Sequence, residues 1–316
     1  MIGIQELLRR LHEATVEPRD LAPMVEMDPA HAGDFDPQVR ARSDKVADAD
    51  GEPFLHRTLN DYSRAWRQWR FRNLIDAGYD GIRIVSEGDS WFQYPIIRDD
   101  IIDHLSERYA IHSLGRAGDT LAKIIEEQDE DIFPALGACE PHFFLISGGG
   151  NDMVGDGYLA ELVGDYAPER EPADYARTDA FNAFIGRLVQ QYRELFRRIK
   201  SQYPHLHILF HGYDAPIPGD DDCHLGAPLK SRGITDKRLQ VAAMQAIMRR
   251  YNDALAALAG EFKGVHHVDC MGSLRMTDWG DPMHPSSSGS RRPAARIHAR
   301  LRELARELGL PLHLRP

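Results

Sequence analysis

Cysteine is scarce in this sequence. Cys139, Cys223 and Cys270 are the only three, widely separated and without a C-x-x-C pair. That excludes a disulfide framework and fits a reducing compartment. Long apolar runs are missing as well: no stretch approaches the roughly 18 residues that cross a bilayer. Positive charge is in deficit, with 38 Lys and Arg against 49 Asp and Glu and a formal net charge of -11. Nucleic acid, whose phosphates call for a basic surface, is therefore not an expected partner. The first residues, MIGIQELLRRLHEA, lack the basic-then-apolar run of a signal peptide, so the cytoplasm is the expected compartment. No Walker A sequence occurs. Met153 stands where a G-x-G-x-x-G fingerprint starting at Gly148 would need its last glycine, which sets the common nucleotide cradles aside.

What is present is ordinary in bulk and informative in pattern. The 316 residues are 42% hydrophobic and 9% aromatic, enough for a sizeable core in one large or two smaller domains. Ile4, Leu7, Leu8 and Leu11 recur at helical spacing over residues 4 to 14. Residues 15 to 53 are rich in Asp, Pro, Ala and Glu and read as irregular and partly extended. A second helix is predicted from about Thr58 to Ala77, ended by Gly78. Its Arg64, Trp66, Arg67, Trp69 and Arg70 could form a nucleic-acid or membrane surface, but docked aromatics beside solvated arginines explain them more simply.

From residue 81 strand and helix alternate. Apolar strands are predicted around Ile82–Val85, Ala110–Leu114, His142–Ser147, Leu206–Gly212 and Val265–Asp269. Helices are predicted over Ile97–Tyr109, Thr120–Gln128, Phe181–Tyr203, Gln240–Phe262 and Arg292–Leu308. The pattern implies an α/β fold with a largely parallel sheet of about five strands, covered on both faces, with right-handed crossovers. Residues 1–80 form an amino-terminal extension, mainly helical and irregular, ahead of an α/β domain over 81–316.

The carboxyl ends of these strands carry the chemistry. Gly88-Asp89-Ser90-Trp91 follows the first, Gly118-Asp119-Thr120 the second, and Gly149-Gly150-Asn151-Asp152 the third; Asp281-Pro282-Met283-His284-Pro285 comes after the fifth. Singly, each is a sharp strand-to-helix turn with a helix cap. Together they bring a serine, a histidine, a carboxylate, a carboxamide and bare backbone amides to one crevice, the parts of an acyl-transfer site. A serine hydroxyl becomes nucleophilic when a neutral imidazole takes its proton, and a carboxylate orients that imidazole. Asp281 and His284, three residues apart, could meet across one turn. Gly118 could offer an unobstructed amide, and Asn151 its carboxamide, to a developing oxyanion.

These four blocks, in this order across about residues 81 to 316, resemble those of the SGNH hydrolases, also called GDSL esterases/lipases. The resemblance implies Ser90 as nucleophile, His284 as base and Asp281 as its orienting partner. It implies an oxyanion hole of the Ser90 amide, the Gly118 amide and the Asn151 side chain. It further implies a flavodoxin-like three-layer α/β/α fold and no metal or organic cofactor. The expected substrate is a carboxylic ester with a small to medium acyl group, or an acetylated carbohydrate; a binding or assembly module on the same fold is the non-enzymatic alternative. Two departures stand out. Trp91 replaces the usual leucine and could line the acyl pocket or pack downward. His112-Ser113 precede the second turn where the family often has asparagine, which alters the surroundings expected for Asp89. The acidic run Asp220-Asp221-Asp222-Cys223-His224 fits no metal-ligand spacing and reads as a solvated loop. The long segment from Asp214 to Thr235 could cover the site as a lid. His205 and His207 read as surface or strand-end residues.

Overall fold

Apolar residues at short range organise the amino-terminal part. β1 (Ile2–Gly3) leads into α1 (Ile4–Glu13), which buries Ile4, Leu7 and Leu11. After α2 (Pro18–Leu21), β2 (Val25–Met27) pairs antiparallel with β3 (Val39–Ala41), and β4 (Val46–Ala47) pairs with β1. The computed structural model describes residues 1–13, 16–28, 39–47, 55–94, 96–126, 129–220 and 224–311. The stretch expected to be irregular and partly extended thus contains paired strands, each too short for periodicity to reveal.

α3 (Leu55–Asp76) spans two cores. Leu59 and Tyr62 pack with Leu7, Leu11 and Leu21, whereas Phe71 joins the main core. The helix lies along β6, and its Gln68 donates to the Ser113 carbonyl at 3.1 Å. A helix thereby covers what would be an open sheet edge.

The main sheet follows from near-continuous apolar strands: β5 (Arg83–Gly88), β6 (Ala110–Ser113), β7 (Phe143–Ser147), β8 (His207–His211) and β9 (Val265–His267). All four pairings are parallel, in the order β6-β5-β7-β8-β9. All five residues of β7 are buried, as expected for a strand covered on both faces. The covering helices are α4 (Ile101–Ser106), α5 (Leu121–Glu126), α6 (Asp129–Cys139), the short α7 (Gly150–Val154) and α8 (Leu159–Leu162), α9 (Asp179–Gln202), α10 (Gly226–Ser231), α11 (Lys237–Ala259) and α12 (Arg291–Glu307). α4 packs on α12, and α5 and α11 pack on α9, giving the three layers of a flavodoxin-like fold. β5 has its successors on either side, β6 to one and β7 to the other. The crevice at that switch point is where ligands bind in open α/β sheets.

Several elements depart from the sequence expectation, among them α4, α6 and α10. α4 starts four residues later than Ile97, because the Asp100 carboxylate accepts the Ile102 and Asp103 amides as a capping box. α6, with Pro134 inside it, was not foreseen. The segment from Asp214 to Thr235 contains α10, whose Gly226, Pro228 and Leu229 are buried. Among the described residues no helix is long and apolar enough to cross a membrane.

Candidate active site

Ser90 sits in the turn that follows β5. The Asp89 carbonyl accepts the Phe92 and Gln93 amides at 3.0 and 2.8 Å, which closes the turn behind the serine. The Asp89 carboxylate is fully enclosed and receives the Trp91 amide at 3.1 Å, the Ser147 hydroxyl at 3.0 Å and the Tyr213 hydroxyl. Burial pushes its pKa up, and these donors oppose the rise. The Asp89 environment altered by His112-Ser113 is thus supplied by Ser147 and Tyr213. His112 itself packs edge-on against Phe71, and burial pushes its pKa down to about 4. The second turn is stitched to the nucleophile turn by the Arg116 amide on the Gly88 carbonyl at 2.8 Å. Gly115 allows that approach: a Cβ there would lie 2.7 Å from the Gly88 oxygen.

His284 meets Ser90 from a late loop. The Ser90 hydroxyl lies 2.8 Å from His284 Nε2, and His284 Nδ1 lies 2.9 Å from Asp281 Oδ1. That same Oδ1 accepts the Met283 and His284 amides at 3.0 and 2.8 Å. One carboxylate oxygen therefore folds its own loop and orients the ring, which explains why the D-x-x-H spacing works without a helix. With Nδ1–H given to Asp281, Nε2 is the ring atom left to accept from serine. Burial works against the Asp281 charge, but His284, Arg98 and the Met283 amide outweigh it and hold the carboxyl well below the usual range.

The expected oxyanion groups divide into two. The Asn151 carboxamide donates from Nδ2 to the Asp119 carbonyl at 2.8 Å and lines the same cavity as Ser90 and His284. Gly118 holds a left-handed φ of 85° in the neighbouring turn but does not line that cavity. Among the described residues, no acceptor takes the Ser90 or Gly118 amide. Other motif residues act as caps: Asp152 accepts the Leu121 amide at 2.7 Å and Thr120 the Lys123 amide at 3.2 Å.

Beside Ser90 opens a cleft whose walls include Trp91, Met153, Val154, Leu225, Met244 and Met248. Trp91 lines the cleft and packs edge-on against Tyr213 at 5.2 Å. Its indole also donates to the Met283 carbonyl at 3.2 Å, tying the nucleophile turn to the His284 loop. Pro216 and Leu225, from the segment read as a lid, form part of the wall; Asp221 to Cys223 lie outside the described residues. Among the described residues no group of three His, Cys, Asp or Glu side chains could hold a metal ion. His205 is exposed and His207 stacks on His266.

Two site residues carry no sequence signal. Tyr213 holds a φ of 66°, unusual for a non-glycine, pinned by its amide on His211 Nδ1 and by Asn252 on the Gly212 carbonyl. Arg98 reaches Asp281 Oδ2 at 2.6 Å. Neither pairing leaves a trace in local spacing.

The sequence profile of the GDSL-like lipase/acylhydrolase family matches residues 86–292. Similar solved structures include an extracellular lipase from Streptomyces rimosus, 17% identical, covering 69% of this chain and 99% of that one at a TM-score of 0.45. A family 3 carbohydrate esterase from Clostridium thermocellum is 15% identical over 72% of this chain and 98% of that one, at a TM-score of 0.45. Phospholipase A1 from Streptomyces albidoflavus NA297 is 14% identical over 69% and 99%, at a TM-score of 0.44. No curated protein matches the chain.

Proposed function

Because the chain belongs to the GDSL-like lipase/acylhydrolase family and is an ester-cleaving hydrolase, we propose that it cleaves carboxylic esters of a small to medium acyl group through an acyl-enzyme on Ser90. The observation that carries this reading is the continuous chain from the Ser90 hydroxyl through His284 to Asp281, at 2.8 and 2.9 Å. His284 Nε2 takes the hydroxyl proton as the oxygen attacks the ester carbonyl. The oxyanion is met by the Ser90 and Gly118 amides and by the N–H of Asn151 that Asp119 leaves free. Each such donor contributes about 3–4 kcal/mol to the transition state. His284 then hands its proton to the departing alkoxide, and water repeats the sequence on the acyl-enzyme. The methionine-rich wall favours an aliphatic acyl chain, since flexible thioethers fill around varied apolar shapes.

Hydrolysis of nitrophenyl esters of graded acyl length, set beside acetylated sugars, tests the reading. The expected result is a kcat/KM that rises from acetyl to a medium acyl chain, with Ser90→Ala and His284→Ala each losing about 10³-fold or more. A preference for acetylated sugars would shift the substrate to carbohydrate deacetylation. Undiminished hydrolysis by Ser90→Ala would remove the nucleophile altogether.

A further inference from the structure

The base of the site is held by a second, unexpected cation. Asp281 offers Oδ1 to His284, while its Oδ2 accepts Arg98 Nη1 at 2.6 Å. Arg98 also donates from Nη2 to the Gly280 carbonyl at 3.2 Å, and its guanidinium lies 4.9 Å from the centre of the Tyr94 ring. Tyr94 in turn sits edge-on to the His284 imidazole at 5.0 Å and directs its hydroxyl to Asp281 Oδ2 at 3.4 Å. The Arg98 and Asp281 side chains are each only 20% exposed, so solvent screens their pairing in part.

Resting on the assignment of His284 as base, we propose that Arg98 is a positioning residue that shares the Asp281 charge with His284 and thereby sets the pH at which the base becomes active. A carboxylate already paired on one oxygen with a permanent cation stabilises an imidazolium on its other oxygen less well. The cation also opposes protonation of the nearby ring directly. Both effects favour the neutral, proton-accepting imidazole, so the enzyme keeps its activity into more acidic solution than an Asp–His pair alone would allow.

Among the described residues that line the cleft with His284, none is a lysine or an arginine. The nucleophile turn presents Asp89, bonded to Ser147 and Tyr213; the segment before α4 presents Tyr94, Arg98 and Asp100, the last already paired with Arg67; the segment after β8 presents Tyr213 and Asp214. Asp214 is occupied by the Gly272 and Leu274 amides. Arg98 is accordingly the group whose removal changes the balance.

The test is the pH profile of kcat/KM for the wild-type protein, Arg98→Met and Arg98→Lys on one nitrophenyl ester. The acid limb is expected to move to higher pH by roughly half a unit to one unit in Arg98→Met. It should stay near the wild-type position in Arg98→Lys, which keeps the charge. Should the methionine variant fail to fold, Arg98→Gln reads the same limb. A limb unmoved by the neutral variant, with only the plateau lowered, would make Arg98 a simple prop of its loop and overturn the proposal. A wild-type profile flat between about pH 5 and 8 would instead remove His284 as base, which is a distinguishable failure.

Discussion

Asn151 has two N–H bonds on its carboxamide nitrogen, and the Asp119 carbonyl takes one. That bond fixes which way the amide faces and leaves the second N–H, which we propose serves the oxyanion. Asn151→Ala should lower kcat by about 10²- to 10³-fold with little change in KM, since the donor acts chiefly on the oxyanion. Steady-state kinetics on a single nitrophenyl ester checks this; a loss confined to KM would place Asn151 in ground-state binding. Residues such as Asn151, Ser90, Asp281 and His284 were legible in the sequence because each lies in a short block of turn-forming residues at a strand end. Arg98 and Tyr213 were not, because their partners Asp281 and Asp89 stand 183 and 124 positions away. Pairings over that distance leave no local pattern.

Among the elements, β5 carries an anomaly of its own. Glu87 lies in the strand, fully buried, with Oε1 on the adjacent Gly88 amide and Oε2 without a hydrogen-bond partner among the described residues. Burial lifts its pKa to about 8, so the folded protein holds this carboxyl neutral at pH 7. The unfolded chain releases the same proton near the ordinary glutamate value of about 4.3. Across that window the folded state binds more protons than the unfolded, and stability falls as pH rises from about 4.3 towards 8. Glu87→Gln mimics the neutral acid and abolishes that dependence. Urea denaturation should therefore show the variant gaining on the wild type between pH 5 and pH 8, by on the order of a few kcal/mol. Parallel pH curves would contradict it.

The elements themselves followed the apolar pattern unevenly. The strands were readable because uninterrupted runs such as Phe143 to Ser147 have few alternatives in a buried sheet. α6 escaped because Pro134 argues against a helix, although it falls where the helix still packs against β5. The pairing of β2 with β3 escaped because three residues are too few to show a period.

At the scale of the whole molecule, we propose a division into an amino-terminal extension over 1–80 and a hydrolase body from 81. Its contacts give the extension work to do at the site. Arg67 on α3 is buried and donates to the Phe92 carbonyl at 2.8 Å and to Asp100 at 2.6 Å, and Asp100 accepts the Tyr94 amide at 2.9 Å. Asn60 accepts the Ala117 amide at 3.1 Å, next to Gly118, and its carbonyl takes Gln93 at 2.8 Å. One helix thus braces both the loop that carries Arg98 and the turn that carries Gly118. A chain beginning at residue 81 would bare the β6 edge and deprive Asp100 of Arg67, the cation it is paired with. It should be aggregated or inactive, as gel filtration and ester hydrolysis would report. A stable, fully active truncation would show that the body needs no such brace.

The central claim, that Ser90 is a nucleophile activated by His284, is tested most directly by covalent capture. A fluorophosphonate loses fluoride to an activated serine and leaves a phosphonyl adduct whose position peptide mass spectrometry reads. A single adduct on Ser90 is expected, absent from Ser90→Ala and suppressed in a folded His284→Ala protein. A well-folded wild-type protein that stays unlabelled, or an adduct on another residue, would contradict it.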